Sequence, residues 1–219
     1  MDFSCFLSGM TRICTEPVLL FFWWKKKRAR LFPALAALIV CFPVFMIANG
    51  IRNGFAHDEF YAAYLKQGLL YGIFEEGAKF LMLRFALESY DSRKDAVTYG
   101  LGHGYLESFF AGLSCFGLIG SGNAAPDILL VNLWSAIEGA LSVAALTVII
   151  FYGIRTGRSK ITLPAAILIH AFSNAFMGIF RFSTPIVIGV MTPVCAAVCY
   201  AAYRCWKALE DPYGDEYEY

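Results

Sequence analysis

Residues 96–119, AVTYGLGHGYLESFFAGLSCFGLI, form an apolar run in which the only acidic, basic or histidine side chains are His103 and Glu107. About 20 mostly apolar residues suffice for a helix to cross a bilayer, so this run predicts a membrane span. His103 and Glu107 are four residues apart and therefore share one helical face. A charge at the centre of a spanning helix costs roughly 2.5–3.5 kcal/mol, so this face is expected to meet other polar groups rather than lipid.

Six further apolar runs flank this one, at 4–24, 32–50, 67–87, 128–152, 162–180 and 185–206. Together they predict an all-α fold, a polytopic transmembrane helical bundle of about seven spans. We expect a single integral membrane domain over 1–209, followed by an acidic, tyrosine-rich and disordered tail over 210–219. Arg12 and Glu16 interrupt the first run, so an interfacial helix is the alternative to a full span there.

Composition excludes several classes of protein. Of the 219 residues, 58% are hydrophobic and 16% are charged, whereas a soluble domain carries about 25% charged residues. With a net charge of +1, the chain is not expected to bind nucleic acid. Its seven cysteines are scattered without a C-x-x-C pair, which argues against a disulfide framework or a thiolate zinc site.

The loops between the runs alternate in positive charge. One side has four basic residues, at Arg12, Arg52, Lys66 and Arg181. The other side has thirteen: Lys25, Lys26, Lys27, Arg28, Arg30, Arg84, Arg93, Lys94, Arg155, Arg158, Lys160, Arg204 and Lys207. Because cytoplasmic loops carry the excess of Lys and Arg, the bias predicts an external N-terminus and a cytoplasmic C-terminus.

A second group of intramembrane charges lies in Phe74-Glu75-Glu76-Gly77-Ala78-Lys79. Lys79 follows the two glutamates by four and three residues, so both carboxylates are within reach of its ammonium group. Two acids beside one lysine leave an excess negative charge, which suits a general base. The alternative is a structural ion cluster that fixes the helix.

The remaining polar residues, taken one at a time, are weaker evidence for a catalytic site. His170 and Asn174 share a helical face, and a His–Asn pair that bridges helices is the alternative to a catalytic role. Glu138 is either a supporting partner of the site or a glutamate that faces the bundle. The glycines at 100, 102 and 104 allow a helix or a substrate backbone to approach His103 closely. Counted from the predicted cytoplasmic ends, the acids and histidines of the third, fourth and sixth spans fall in one layer, roughly 10–18 Å deep.

Peptide hydrolysis by an activated water fits this set of side chains. A catalytic zinc takes three N or O ligands and leaves a position for water. His103, His170 and one carboxylate, from Glu107 or Glu76, would supply the ligands. Glu75 would take the proton from water, and Asn174 would donate to the oxyanion. A metal-free glutamate–histidine mechanism, with His170 or Asn174 as the oxyanion donor, uses the same groups.

Three motifs resemble those of a superfamily of intramembrane proteases. They are Glu75-Glu76-x-x-Lys79, Gly102-His103-Gly104-x-x-Glu107 and His170-x-x-x-Asn174. This superfamily contains PrsW, the YhfC family and the CAAX-prenyl endopeptidases, and the resemblance is strongest to YhfC-like members. It covers roughly residues 70–180. The chain departs from the pattern at Lys79, where many relatives carry arginine, and at Leu146, where a histidine is expected eight residues after Glu138.

The resemblance implies an integral protein of a bacterial plasma membrane whose site opens to the cytoplasmic half of the bilayer. It implies that Glu75 and Glu76 activate water while the histidines bind zinc or the oxyanion. The expected activity is cleavage of a transmembrane, lipidated or prenylated substrate. The alternative is a catalytically inactive scaffold or binding protein of the same fold. A coupled transporter is disfavoured because the chain lacks repeat halves.

Overall fold

The computed structural model describes residues 2–55, 57–121, 127–181 and 183–209. Within these ranges the chain forms seven helices and no strand, so the predicted all-α fold is confirmed. The helices are α1 (Asp2–Lys27), α2 (Phe32–Arg52), α3 (60–86), α4 (Arg93–Gly117), α5 (Ile128–Thr156), α6 (Ser159–Ile179) and α7 (Thr184–Ala208). A short 3₁₀ turn, Asn53–Phe55, follows α2. Each predicted run overlaps one helix, and the predicted tail lies outside the described residues.

Helix α3 is not a regular α-helix. It is α-helical over Phe60–Tyr71 and Gly77–Leu81 and π-helical over Gly72–Glu76 and Met82–Ala86. It begins at Phe60, before the predicted apolar run. Lys66, which forms an ion pair with Asp58 at 2.9 Å, interrupts the apolar pattern within its first two turns. Single π turns inside α-helices occur frequently at functional sites.

Five helices, α1, α2, α5, α6 and α7, are long and apolar enough to cross a membrane. The other two, α3 and α4, contain five of the ionisable side chains that the sequence places within spans, whereas His170 lies in α6 and Glu138 lies in α5. Large apolar side chains cover much of the outer surface; Ile39 is 74% exposed and Ile161 is 72% exposed. These features describe an integral membrane protein. The count of seven spans and the orientation of the termini stay predictions.

Helix α4 lies inside the bundle and packs against α1, α2 and α5. Two glycines make this close packing possible. A Cβ atom added to Gly102 would lie 2.5 Å from the carbonyl oxygen of Ala34 in α2, and one added to Gly100 would lie 2.7 Å from Cα of Ala144 in α5. The glycines around His103 therefore serve the approach of neighbouring helices.

Helix α1 is a packed member of the bundle, in contact with α4 and α5, and not a separate interfacial helix. The two charges that weakened its prediction point inward. Arg12 donates to Asn132 Oδ1 at 2.9 Å and to Ser135, while Ser108 Oγ donates to Glu16 at 2.5 Å. Polar partners on α4 and α5 thus remove the cost of placing these charges in lipid.

The start of α4 is fixed by a capping box. The Ser92 side chain accepts from the backbone N–H of Lys94 at 3.1 Å, and Asp95 accepts from the backbone N–H of Ser92 at 3.2 Å. Arg30, between α1 and α2, holds the same Asp95 carboxylate with two donors. This contact sets the depth of α4, and therefore of His103, relative to the first two helices.

Candidate active site

Six ionisable side chains from three helices meet inside the bundle. They are Glu75, Glu76 and Lys79 of α3, His103 and Glu107 of α4, and His170 of α6; we call them the Glu–His cluster. Five of the six are buried, and Glu76 and Lys79 have no exposed surface. Only the Glu107 side chain, at 37% exposure, is partly open. The structure therefore brings together side chains that the sequence places on three separate helices, and their common depth in the membrane stays a prediction.

The π turn Gly72–Glu76 presents both glutamates of α3 to the interior, where Glu75 and Glu76 are buried. At this π turn, α3 packs closely on α6. A Cβ atom on Gly72 would lie 2.6 Å from the carbonyl oxygen of Ile167, three residues before His170. Only a glycine at this position lets α3 approach α6 closely enough for its acids to contact His170.

Glu75 lies at the centre of the Glu–His cluster. Its Oε2 atom is 3.3 Å from Nε2 of His103 and 3.6 Å from Nε2 of His170. The same His103 nitrogen is 3.5 Å from Glu107 Oε1. Two carboxylates therefore face the Nε2 atoms of two histidines that come from different helices.

Glu76 lies on the far side of His170 from this centre. Its Oε1 atom is 2.5 Å from Nδ1 of His170 and accepts from Lys79 Nζ at 2.6 Å. A carboxylate on one ring nitrogen orients a histidine and leaves the other nitrogen for a ligand. The predicted contact between Lys79 and Glu76 is present, whereas Glu75 turns away from the lysine to the histidines.

Sequence reasoning missed Cys41 of α2, whose Sγ atom lies 2.5 Å from Nδ1 of His103. Cys41 is buried and stands alone in an apolar run, so no spacing signal singles it out. It occupies on His103 the position that Glu76 occupies on His170. The two histidines thus have analogous surroundings, with Nδ1 against a neighbouring side chain and Nε2 toward Glu75.

Three donors are close enough to share one metal ion. Oxygens of Glu75 and Glu107 and a nitrogen of His170 lie within 4.8 Å of one another. This set differs from the predicted ligands, since Glu75 takes the place of His103. Of the donor residues, Glu107 has one carboxylate oxygen, Oε1, that is buried without a hydrogen-bond partner. An unsatisfied carboxylate oxygen beside a histidine fits a divalent ion with N and O ligands, such as zinc.

Two predicted residues are not brought into the Glu–His cluster. Glu138 of α5 accepts from Ser142 Oγ at 3.0 Å on its own helix. Asn174 is half-buried one turn after His170, and no described contact joins its side chain to the cluster. Leu146, where a histidine was expected, is 3% exposed within the apolar core. The roles of Glu138 and Asn174 stay predictions.

The fold and the site define a class: a helical membrane protein with a buried cluster of acids and histidines among its spans. Residues 14–120 match the family model of the YhfC intramembrane metalloproteases, which confirms the predicted resemblance to YhfC-like proteins. The match begins before the predicted range of 70–180 and also ends before that range does. The matched segment carries Glu75, Glu76, Lys79, His103 and Glu107 but ends before His170. Neither curated protein sequences nor solved structures gave a match to this chain.

Proposed function

We propose that this protein is an intramembrane endopeptidase that hydrolyses a peptide bond at the Glu–His cluster. One observation carries the proposal: Glu75 lies within 3.6 Å of Nε2 of both His103 and His170, and the Glu107 carboxylate faces the same His103 nitrogen. Such a group of buried acids and bases is costly in a membrane and marks a functional site by default. The family match over 14–120 supports the same reaction class.

The donor set Glu75, Glu107 and His170 would hold the metal, and His103 is the next nitrogen donor in reach. A bound zinc ion would supply Lewis acidity and a water that loses its proton near neutral pH. Glu76 keeps His170 in place through Nδ1, and Lys79 balances the charge of Glu76. His103 stands beside both Glu75 and Glu107 and is therefore placed to exchange a proton with either carboxylate.

A substrate would reach the Glu–His cluster at Glu107, because this side chain is the only partly exposed one of the six. Since the surrounding surface is apolar, the substrate class is a transmembrane or lipid-anchored peptide rather than a soluble one. Asn174 would then donate to the oxyanion if substrate binding brings it to the cluster.

The test is cleavage of fluorogenic membrane peptides by the full chain in proteoliposomes. We expect Glu76→Gln and His170→Ala to lower kcat/KM roughly 100-fold, because the first removes the carboxylate that orients His170 and the second removes His170 itself. Glu16→Gln is the matched control. Glu16 is as deeply buried, at 1% exposure, but bonds to Ser108 outside the cluster.

Metal dependence is measured on the same samples. We expect one equivalent of metal in the purified protein, loss of activity with a chelator and its return with zinc. Cleavage that resists chelation but depends on Glu76 would support the metal-free glutamate mechanism. Identical products from the wild type and both cluster variants would overturn the protease proposal and favour a non-catalytic binding protein.

A further inference from the structure

A groove of about 490 Å³ runs between α1 and α7, over the surface of α5. It shares no lining residue with the Glu–His cluster. Helices α1 and α7 each pack on α5, so α5 forms the base of the space between them. Small and aliphatic side chains form this floor: Ala144, Ala145 and Val148 of α5, and Cys199 and Ala202 of α7. We call this space the α1–α7 groove.

One end of the α1–α7 groove has a cationic rim. Lys27 comes from the last turn of α1, and Arg93 and Lys94 come from the first turn of α4. The Arg93 guanidinium lies 4.9 Å from the ring centre of Trp206 and donates to that residue's carbonyl oxygen at 3.1 Å. The rim is therefore held in place by α7 as well as by its own helices.

Two tryptophans complete this end. The rings of Trp23 and Trp206 meet edge to face with centroids 6.0 Å apart, and Trp23 Nε1 lies 3.4 Å from the Lys94 carbonyl oxygen. Tryptophan is enriched at the level of lipid headgroups. The rim therefore lies at the headgroup level, and the apolar floor lies at the level of the acyl chains.

We propose that the α1–α7 groove binds an anionic phospholipid, with its phosphate on Lys27, Arg93 and Lys94 and an acyl chain on the floor. The two parts of the groove select this occupant. A free anion would use the rim alone, and a neutral apolar molecule would use the floor alone. Basic pockets between spans on the cytoplasmic side bind anionic headgroups, and the charge bias predicts that this end is cytoplasmic.

The test is native mass spectrometry of the full chain, titrated with phosphatidylglycerol or with phosphatidylcholine of identical acyl chains. We expect the wild type to retain phosphatidylglycerol preferentially. Lys27→Gln/Lys94→Gln should weaken that binding roughly 30-fold, at the usual contribution of a cation near an anionic headgroup. Cys199→Trp should also abolish it by filling the floor while leaving the rim intact.

Arg158→Gln/Lys160→Gln is the matched control, because it removes two exposed cations at the α5–α6 connection and should leave lipid binding unchanged. Equal helicity by circular dichroism verifies that every variant folds. Equal retention of the two lipids would overturn the proposal. Displacement of phosphatidylglycerol by millimolar inorganic phosphate would assign the rim to a free anion.

Two other occupants would also contradict the proposal. If lipid binds only after residues 210–219 are deleted, the acidic tail is the ligand of the rim. If the wild type is a lipid-free dimer that Cys199→Trp dissociates, a second copy of the chain fills the groove.

Discussion

Lys79 pairs with Glu76 at 2.6 Å, and neither residue has exposed surface. Removing one partner of a buried ion pair leaves an uncompensated charge and costs about 3–5 kcal/mol. We therefore expect Lys79→Met to lower the free energy of unfolding by that amount, measured by denaturant titration in mixed micelles.

Lys66→Met is the control for this prediction. Lys66 also lies in α3 and pairs with Asp58 at 2.9 Å, but its side chain is 53% exposed. Exposed pairs contribute about 0–1 kcal/mol. Equal losses from the two substitutions would contradict a stabilising role for Lys79.

The residues of the Glu–His cluster were predictable because a charge inside an apolar run is visible in the sequence. This signal predicts all six members of the cluster: Glu75, Glu76, Lys79, His103, Glu107 and His170. Cys41 was not predicted, because an apolar run tolerates a thiol at any position and its partner His103 is on another helix. The choice among ligands also depends on distances that spacing along one helix does not fix.

Gly102 and Gly139 allow a test at the level of the helix. A Cβ on Gly102 would meet the backbone of Ala34, whereas a Cβ on Gly139 has open space within 4 Å. We expect Gly102→Ala to destabilise the protein by about 1–3 kcal/mol, because α2 must move away from α4. Gly139→Ala should instead stabilise it by about 0.5–1 kcal/mol through helix propensity. Both values come from the same unfolding titration, and a Gly102→Ala variant as stable as Gly139→Ala would refute close packing at Gly102.

The helices could largely be predicted from hydropathy, since each apolar run overlaps one helix. The π segments of α3 could not, because the apolar pattern over 67–87 is compatible with an ordinary α-helix. Gly72 is the first residue of the first π segment. It is needed because α3 packs closely on Ile167 of α6, and the sequence does not show that contact. The sequence of α3 contains no proline that would mark an interruption, and its backbone stays helical through both π segments.

The predicted orientation of the whole molecule rests on thirteen basic residues on one predicted side and four on the other. We expect an impermeant maleimide to label Asn53→Cys in intact cells and to label Arg158→Cys only after lysis. Both variants are made in the full chain with its native cysteines replaced by alanine. Labelling of Arg158→Cys in intact cells would reverse the proposed orientation.

The sequence alone does not predict which helices come together to form the whole site. The match to the YhfC family ends at residue 120, yet the Glu–His cluster is completed by His170 from α6. Hydropathy predicts the depth of His170 in the membrane but does not say which helices are neighbours. That information comes from packing, in which α3 lies against α6 and α4 lies against α2.

The π turn at Gly72–Glu76 has a consequence for how the length of this helix changes during evolution. A π turn accommodates an extra residue within an otherwise α-helical segment. Deleting one residue there would restore a regular helix and rotate its two halves against each other by about 100°. The half that contacts α6 and the half that carries Lys79 would then no longer face their partners together. An insertion or deletion at this turn would therefore change which side chains of α3 point into the interior, and it would do so more than a substitution would.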